Sequence, residues 1–164
     1  MSVRKFKRRN QVSVLTQAAP VTTAPRVRTG IIDCDVHVFP RSLDEIRAYM
    51  DMPWRDRMKG GGRGFFGNPV HGNRLDATPP SGLPAGADPA FLREQLIDTY
   101  GIAHAILLPR AFCNLHPDPD FGTAIAAAYN DWLADTWLSK YNHDGLFKGS
   151  ITISHQDPQA AAKE

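Results

Sequence analysis

The chain has 164 residues, 42% of them hydrophobic and 22% charged, which is ordinary for a soluble globular protein and suits a single domain. No stretch approaches the roughly 20 apolar residues of a membrane span, and two cysteines without CxxC spacing argue for a reducing cytoplasm over a disulfide scaffold. The net charge of +2 divides unevenly: residues 1–32 hold seven Lys or Arg and no acid, leaving twelve bases against all seventeen acids and a net −5 beyond them, which speaks against a nucleic-acid-binding body.

Residues 1–29 read as a disordered basic tail, punctuated by Pro20 and Pro25 and without hydrophobic periodicity, so the body is expected over 30–164. Gly30–Val38 predicts the first strand. Ile32, Cys34, Val36 and Val38 form one apolar face toward covering helices, and Ile31, Asp33, Asp35 and His37 form the other, with both faces buried near the start. Ser42 with Glu45 three residues on predicts a capped helix over Leu43–Met50. Met52–Pro89 then gathers eight Gly and six Pro. Irregular segments of that length commonly cover a site, and Trp54, Phe65 and Phe66 argue that this one packs on something.

Asp88 as N-cap and Pro89 behind it open a helix running to Tyr100, with Leu92, Leu96, Ile97 and Tyr100 on one face and Gly101 as its stop. Ala103–Leu108 is apolar on both faces, the pattern of a parallel strand covered on both sides. Asp120–Lys140 predicts the longest helix, its core face marked by Ile125, Tyr129, Trp132, Leu133 and Trp137. A turn at Asn142–Gly145, a third strand over Phe147–Ser154 and a helix opening at Asp157-Pro158 complete the series. Strands alternating with helices imply a parallel sheet in sequence order. The fold class is α/β: an incomplete TIM-like (β/α)8 barrel, represented by its first three parallel strands with their helices, or a piece of an open sheet.

The chemistry concentrates in Asp35-Val36-His37. Residues two apart on a strand share a face, so carboxylate and imidazole point the same way at the strand's carboxyl end, where a barrel carries its site. A carboxylate buried there needs a partner. One divalent cation satisfies both side chains, since Asp oxygen and His nitrogen are ordinary ligands for zinc, manganese or iron. A simple hydrogen-bonded pair, or Asp35 capping a loop, satisfies the spacing equally. Arg110 and His155 follow the second and third strands and are candidates to line the same mouth, Arg110 as a bidentate clamp for a substrate carboxylate or as a surface ion pair. His104 reads as structural; His71, His116 and His143 read as solvated loop or turn residues. Asp33 lies one pleat deeper, suited to orienting neighbours rather than to ligation. Gly62–Gly67 matches GxGxxG but follows no strand, so it fails as a dinucleotide loop.

The run Ile31-Ile32-Asp33-Cys34-Asp35-Val36-His37-Val38-Phe39-Pro40 resembles the opening strand of the amidohydrolase superfamily, in the amidohydrolase-related branch of metal-dependent hydrolases and non-oxidative decarboxylases. That strand typically reads I-D-x-H-x-H-x-x-P. Ala87–Ile102, Ala127–Leu133, Phe147–Ile151 and Gln156–Ala161 resemble the segments that follow, so the likeness covers roughly residues 30–164. It implies a barrel enzyme that hydrolyses or decarboxylates a small organic acid, ester, lactone or amide. It further implies one divalent metal ion, zinc or manganese by preference, held by Asp35 and His37, and a small-molecule substrate near Arg110 and His155, with neither nucleic acid nor membrane as partner. A homo-oligomer fits the full-length protein. Asp35 stands where the family's first histidine is usual. The length falls short of the roughly 200–250 residues of a barrel, so the chain is expected to be an N-terminal portion, inactive by itself, whose remaining ligands lie elsewhere. The alternative is a non-catalytic truncated homologue that binds partners.

Overall fold

The computed structural model describes residues 30–60, 74–111, 113 and 116–164. The basic tail, the Gly62–Gly67 run with Phe65 and Phe66, and His71 lie outside the described residues. Three strands form one parallel sheet in sequence order: β1 (Ile32–Val38), β2 (His104–Pro109) and β3 (Phe147–Gly149). In register, Ile32 faces His104, His37 faces Leu108, and Ala105 faces Phe147. The described chain is therefore mixed α/β, as the alternation of strands and helices predicts.

Helices fill the connections. After β1 come α1 (Leu43–Arg47) and α2 (Trp54–Arg57). Next, α3 (Pro89–Leu92) continues as a wider π turn over Arg93–Asp98, and α4 (Pro119–Trp132) continues likewise over Leu133–Ser139; α5 (Pro158–Lys163) follows β3. Three of these open on the same device, an Asp followed by Pro. The carboxylates of Asp88, Asp118 and Asp157 accept backbone N–H groups of the first turn, which would otherwise lack partners. The cap at Asp118 moves the start of α4 ahead of the predicted Asp120. Ser42 makes no side-chain cap, and Glu45 reaches past it to the Arg41 N–H at 2.7 Å, so the predicted capping box is replaced by a single bond one residue further back.

The core lies on one face of the sheet. Val36, Val38, Ala105, Leu107 and Phe147 join Ile46, Ile97, Trp132, Leu133 and Trp137 in one buried cluster. The Trp137 and Phe147 rings meet edge to face at 5.9 Å. Burial along β2 alternates strictly, with Ala105 and Leu107 at 0% exposure between the half-buried His104, Ile106 and Leu108. The expectation that β2 is covered on both faces is therefore corrected: among the described residues, only the Ala105–Leu107 face is fully buried and the other is half-exposed. The same geometry corrects the reading of β1. Ile31 and Ile32 are both 53% exposed and Cys34 is exposed, because the register shifts between Asp33 and Val36 and the packed face begins only at Val36. Tyr100, placed on the core face by spacing, is exposed.

Trp54 of the segment after α1 does pack down, its ring 5.7 Å from Phe121 of α4, with the Arg57 guanidinium over Phe121 at 4.5 Å and paired with Asp118. His116, expected to be solvated, is held in this cluster: its Nδ1 accepts from the Asp118 N–H at 3.2 Å and its ring meets Phe121 edge-on.

The third strand stops early for a visible reason. Ser150 still donates its N–H to Leu107 O, but Thr152 is taken by Asn130 of α4. The Asn130 Oδ1 accepts from the Thr152 N–H at 2.8 Å, and its Nδ2 donates to Thr152 O at 2.8 Å and to Glu164 Oε1 at 2.7 Å. A side-chain amide thus replaces a neighbouring strand, and the chain leaves the sheet for the helix. Asn130→Ala removes all three bonds and strands both Thr152 groups; the expected loss is about 2 kcal/mol of stability, read as a lower urea midpoint at unchanged slope. An unchanged midpoint would mean the clamp contributes nothing.

Candidate functional site

Asp35 and His37 project from the same side of β1, and Asp35 Oδ1 lies 3.4 Å from His37 Nε2. The strand's pleat accounts for the shared side. The Asp33 carboxylate accepts from the Asp35 N–H at 3.0 Å, which ties down the backbone where the register shifts. The two side chains are 78% and 41% exposed. The expected burial of the pair in an enclosed mouth is thus corrected: among the described residues nothing encloses the carboxylate, so desolvation does not demand a counter-ion. What remains is the donor spacing. Tetrahedral zinc with bonds of about 2.0–2.1 Å sets its ligands roughly 3.3 Å apart, so the pair fits two vertices of such a site. Among the described residues, no group of three or more His, Cys, Asp or Glu is placed to complete it.

A cavity of about 330 Å³ opens beside the pair, between the carboxyl ends of β1 and β2 and the start of α3. His37 and Arg110 both line it, with Phe39, Gly86, Phe91 and Gln95. Asp35 and His155 do not. His155 follows the Asn130 clamp, six residues past the end of β3, and is exposed. The segment before α3 supplies one wall. Gly86 sits at φ +75°, its carbonyl accepting the Phe39 N–H at 3.0 Å, and a Cβ on it would lie 2.6 Å from His37 O. Only glycine permits both the turn and this approach. Asp88 also lines the cavity; its Oδ1 accepts from the Phe91 N–H and its Oδ2 from the Ser81 hydroxyl, and the helix-start N–H foremost holds the carboxyl below its usual range.

Sequence reasoning found His37 and Arg110 by their position after strands. It missed Gly86, whose Pro84-Ala85-Gly86 context is a turn signal, and Gln95, which spacing alone does not mark. A scan against models of known protein families and a search of curated proteins each found no match.

Gly86→Ala is expected to lower stability by at least about 1 kcal/mol, and to speed hydrogen exchange at the Phe39 amide as the wall lifts from β1. Unchanged exchange at Phe39 would remove Gly86 from the site's construction.

Proposed function

We propose that this chain is part of a metal-dependent, amidohydrolase-like enzyme of the (β/α)8 type, acting in the cytoplasm on a small organic acid, ester, lactone or amide by hydrolysis or decarboxylation. The observation that carries this reading is the Asp35–His37 pair, two donors 3.4 Å apart at the carboxyl end of a parallel strand, beside a cavity that His37 shares with Arg110. Parallel α/β folds place ligands at that end of the sheet.

Asp35 and His37 would hold a divalent ion of the zinc or manganese kind through one oxygen and one nitrogen, with further donors from water, substrate or residues beyond those described. Such an ion, when bound, supplies Lewis acidity and a water acidic enough to lose its proton near neutral pH. The protein's own contributions are positional. Asp33 fixes the backbone under Asp35, and Gly86 accepts the Phe39 N–H just beyond His37, where a side chain on it would collide with the His37 carbonyl. Arg110, which lines the cavity, presents a planar cation that suits a carboxylate.

The competing reading, a partner-binding chain without activity, draws on the 78% exposure of Asp35 and on the uncovered sheet face. Calorimetric titration with zinc and with manganese separates the two. The enzyme reading expects one ion per chain, with affinity falling at least tenfold in both Asp35→Ala and His37→Ala. Equal stoichiometry and affinity in wild type and both variants would remove the metal, and the reading with it.

A further inference from the structure

The sequence predicts a third strand over Phe147–Ser154, yet β3 ends at Gly149. The remainder, Ser150-Ile151-Thr152-Ile153-Ser154, keeps the marks of a strand. β-Branched residues dominate it, and it holds neither charge nor proline. Its side chains alternate: Ile151 and Ile153 are 70% and 44% exposed, whereas Ser154 is buried. An uncharged, β-prone run of this kind at the end of an edge strand is a template for pairing with another chain.

β3 is such an edge, since the sheet runs β1-β2-β3. Leu146 O and the Ser150 N–H bond to β2, and bonding direction alternates along a strand, so the N–H and C=O of Phe147 point to the outer side. Both are taken. Asn142, in the turn before β3, accepts the Phe147 N–H through Oδ1 and donates through Nδ2 to Phe147 O, each at 2.9 Å. Asn130 of α4 treats Thr152 in the same way, each bond at 2.8 Å. A side-chain amide carries the donor and the acceptor of a peptide group. Two of them, one at the start of β3 and one in the run behind it, thus make the bonds that a neighbouring strand would make.

We propose that Asn142 and Asn130 are edge guards, which close the outer side of β3 and of the Ser150–Ser154 run against strand addition by a second copy of this chain. The partner kept out is a second copy because the run is the same in every molecule, and identical uncharged β-prone segments stack in register with one another. The exposed Ile151 and Ile153 are the side chains that such a pairing would bury. The inference goes beyond the enzymatic reading and does not rest on it.

The test is sedimentation velocity of the whole chain over a concentration series, without added divalent ions. The double variant Asn130→Ala/Asn142→Ala is expected to self-associate roughly tenfold or more tightly than wild type. Adding Ile151→Lys, a charge at an exposed position, is expected to return it to the wild-type level. Gly86→Ala, destabilised at the opposite edge of the sheet, is expected to stay at the wild-type level, which separates edge pairing from general loosening. The folded spectrum of each variant is checked first; should the double variant not fold, Asn142→Ala is read in its place, with an effect in the same direction. A folded variant that associates no more than wild type would overturn the proposal. So would association that survives Ile151→Lys, or that Gly86→Ala matches, since either would place the contact elsewhere than on this edge.

Discussion

Trp132 and Trp137 are each 1% exposed, and with Phe147, Leu107 and Val38 they form the contact on which the sheet rests. A buried aromatic side chain removes about 150–250 Å² from water, worth on the order of 5 kcal/mol each at 25 cal/mol per Å² as an upper estimate. No other feature of the described chain concentrates as much driving force. The contact uses one face of the sheet. Strand side chains alternate, so fixing Val36 and Val38 against the helices sends Asp35 and His37 to the opposite side. The position of the candidate site follows from where the tryptophans are.

That constraint changes the physical basis of the site. A buried carboxylate would require a cation to offset its desolvation; a carboxylate 78% exposed does not. The pair's case rests instead on geometry, on two donors of suitable type at the separation of tetrahedral ligands, and on its place beside a cavity. The cavity in turn depends on elements with no strand or helix pattern. Gly86 acts as a substitute neighbour for the end of β1, and Gln95 ties the Leu75–Ala77 turn to α3. His37 belongs to both parts.

The sequence made the order of elements legible because each carries a local signal. Asp-Pro caps mark helix starts, β-branched runs mark strands, and the spacing of Ile125, Tyr129, Trp132 and Trp137 marks the buried stripe of α4. It made one face of β2 legible and misjudged the other, because a continuous apolar run reads the same whether one or both sides are covered. Long-range polar contacts left no local trace. Asn130 lies off the core face that helical spacing marks on α4, yet it clamps Thr152 just past the end of β3. His116 looked like a loop histidine and is a hydrogen-bonded neighbour of Phe121.

Among the described residues the sheet is packed on one side and open on the other, with the Asp35–His37 pair on the open side. Methyl NMR with a soluble paramagnetic agent tests it most directly. The account predicts strong broadening of the Ile32 and Ile151 methyls, intermediate broadening of Ile106 and Leu108, and sharp signals from Val38 and Leu107, which are 0% exposed. Ile106 and Leu108 as well protected as Leu107 would mean that both faces are covered, and the site would have to be rebuilt as a buried one.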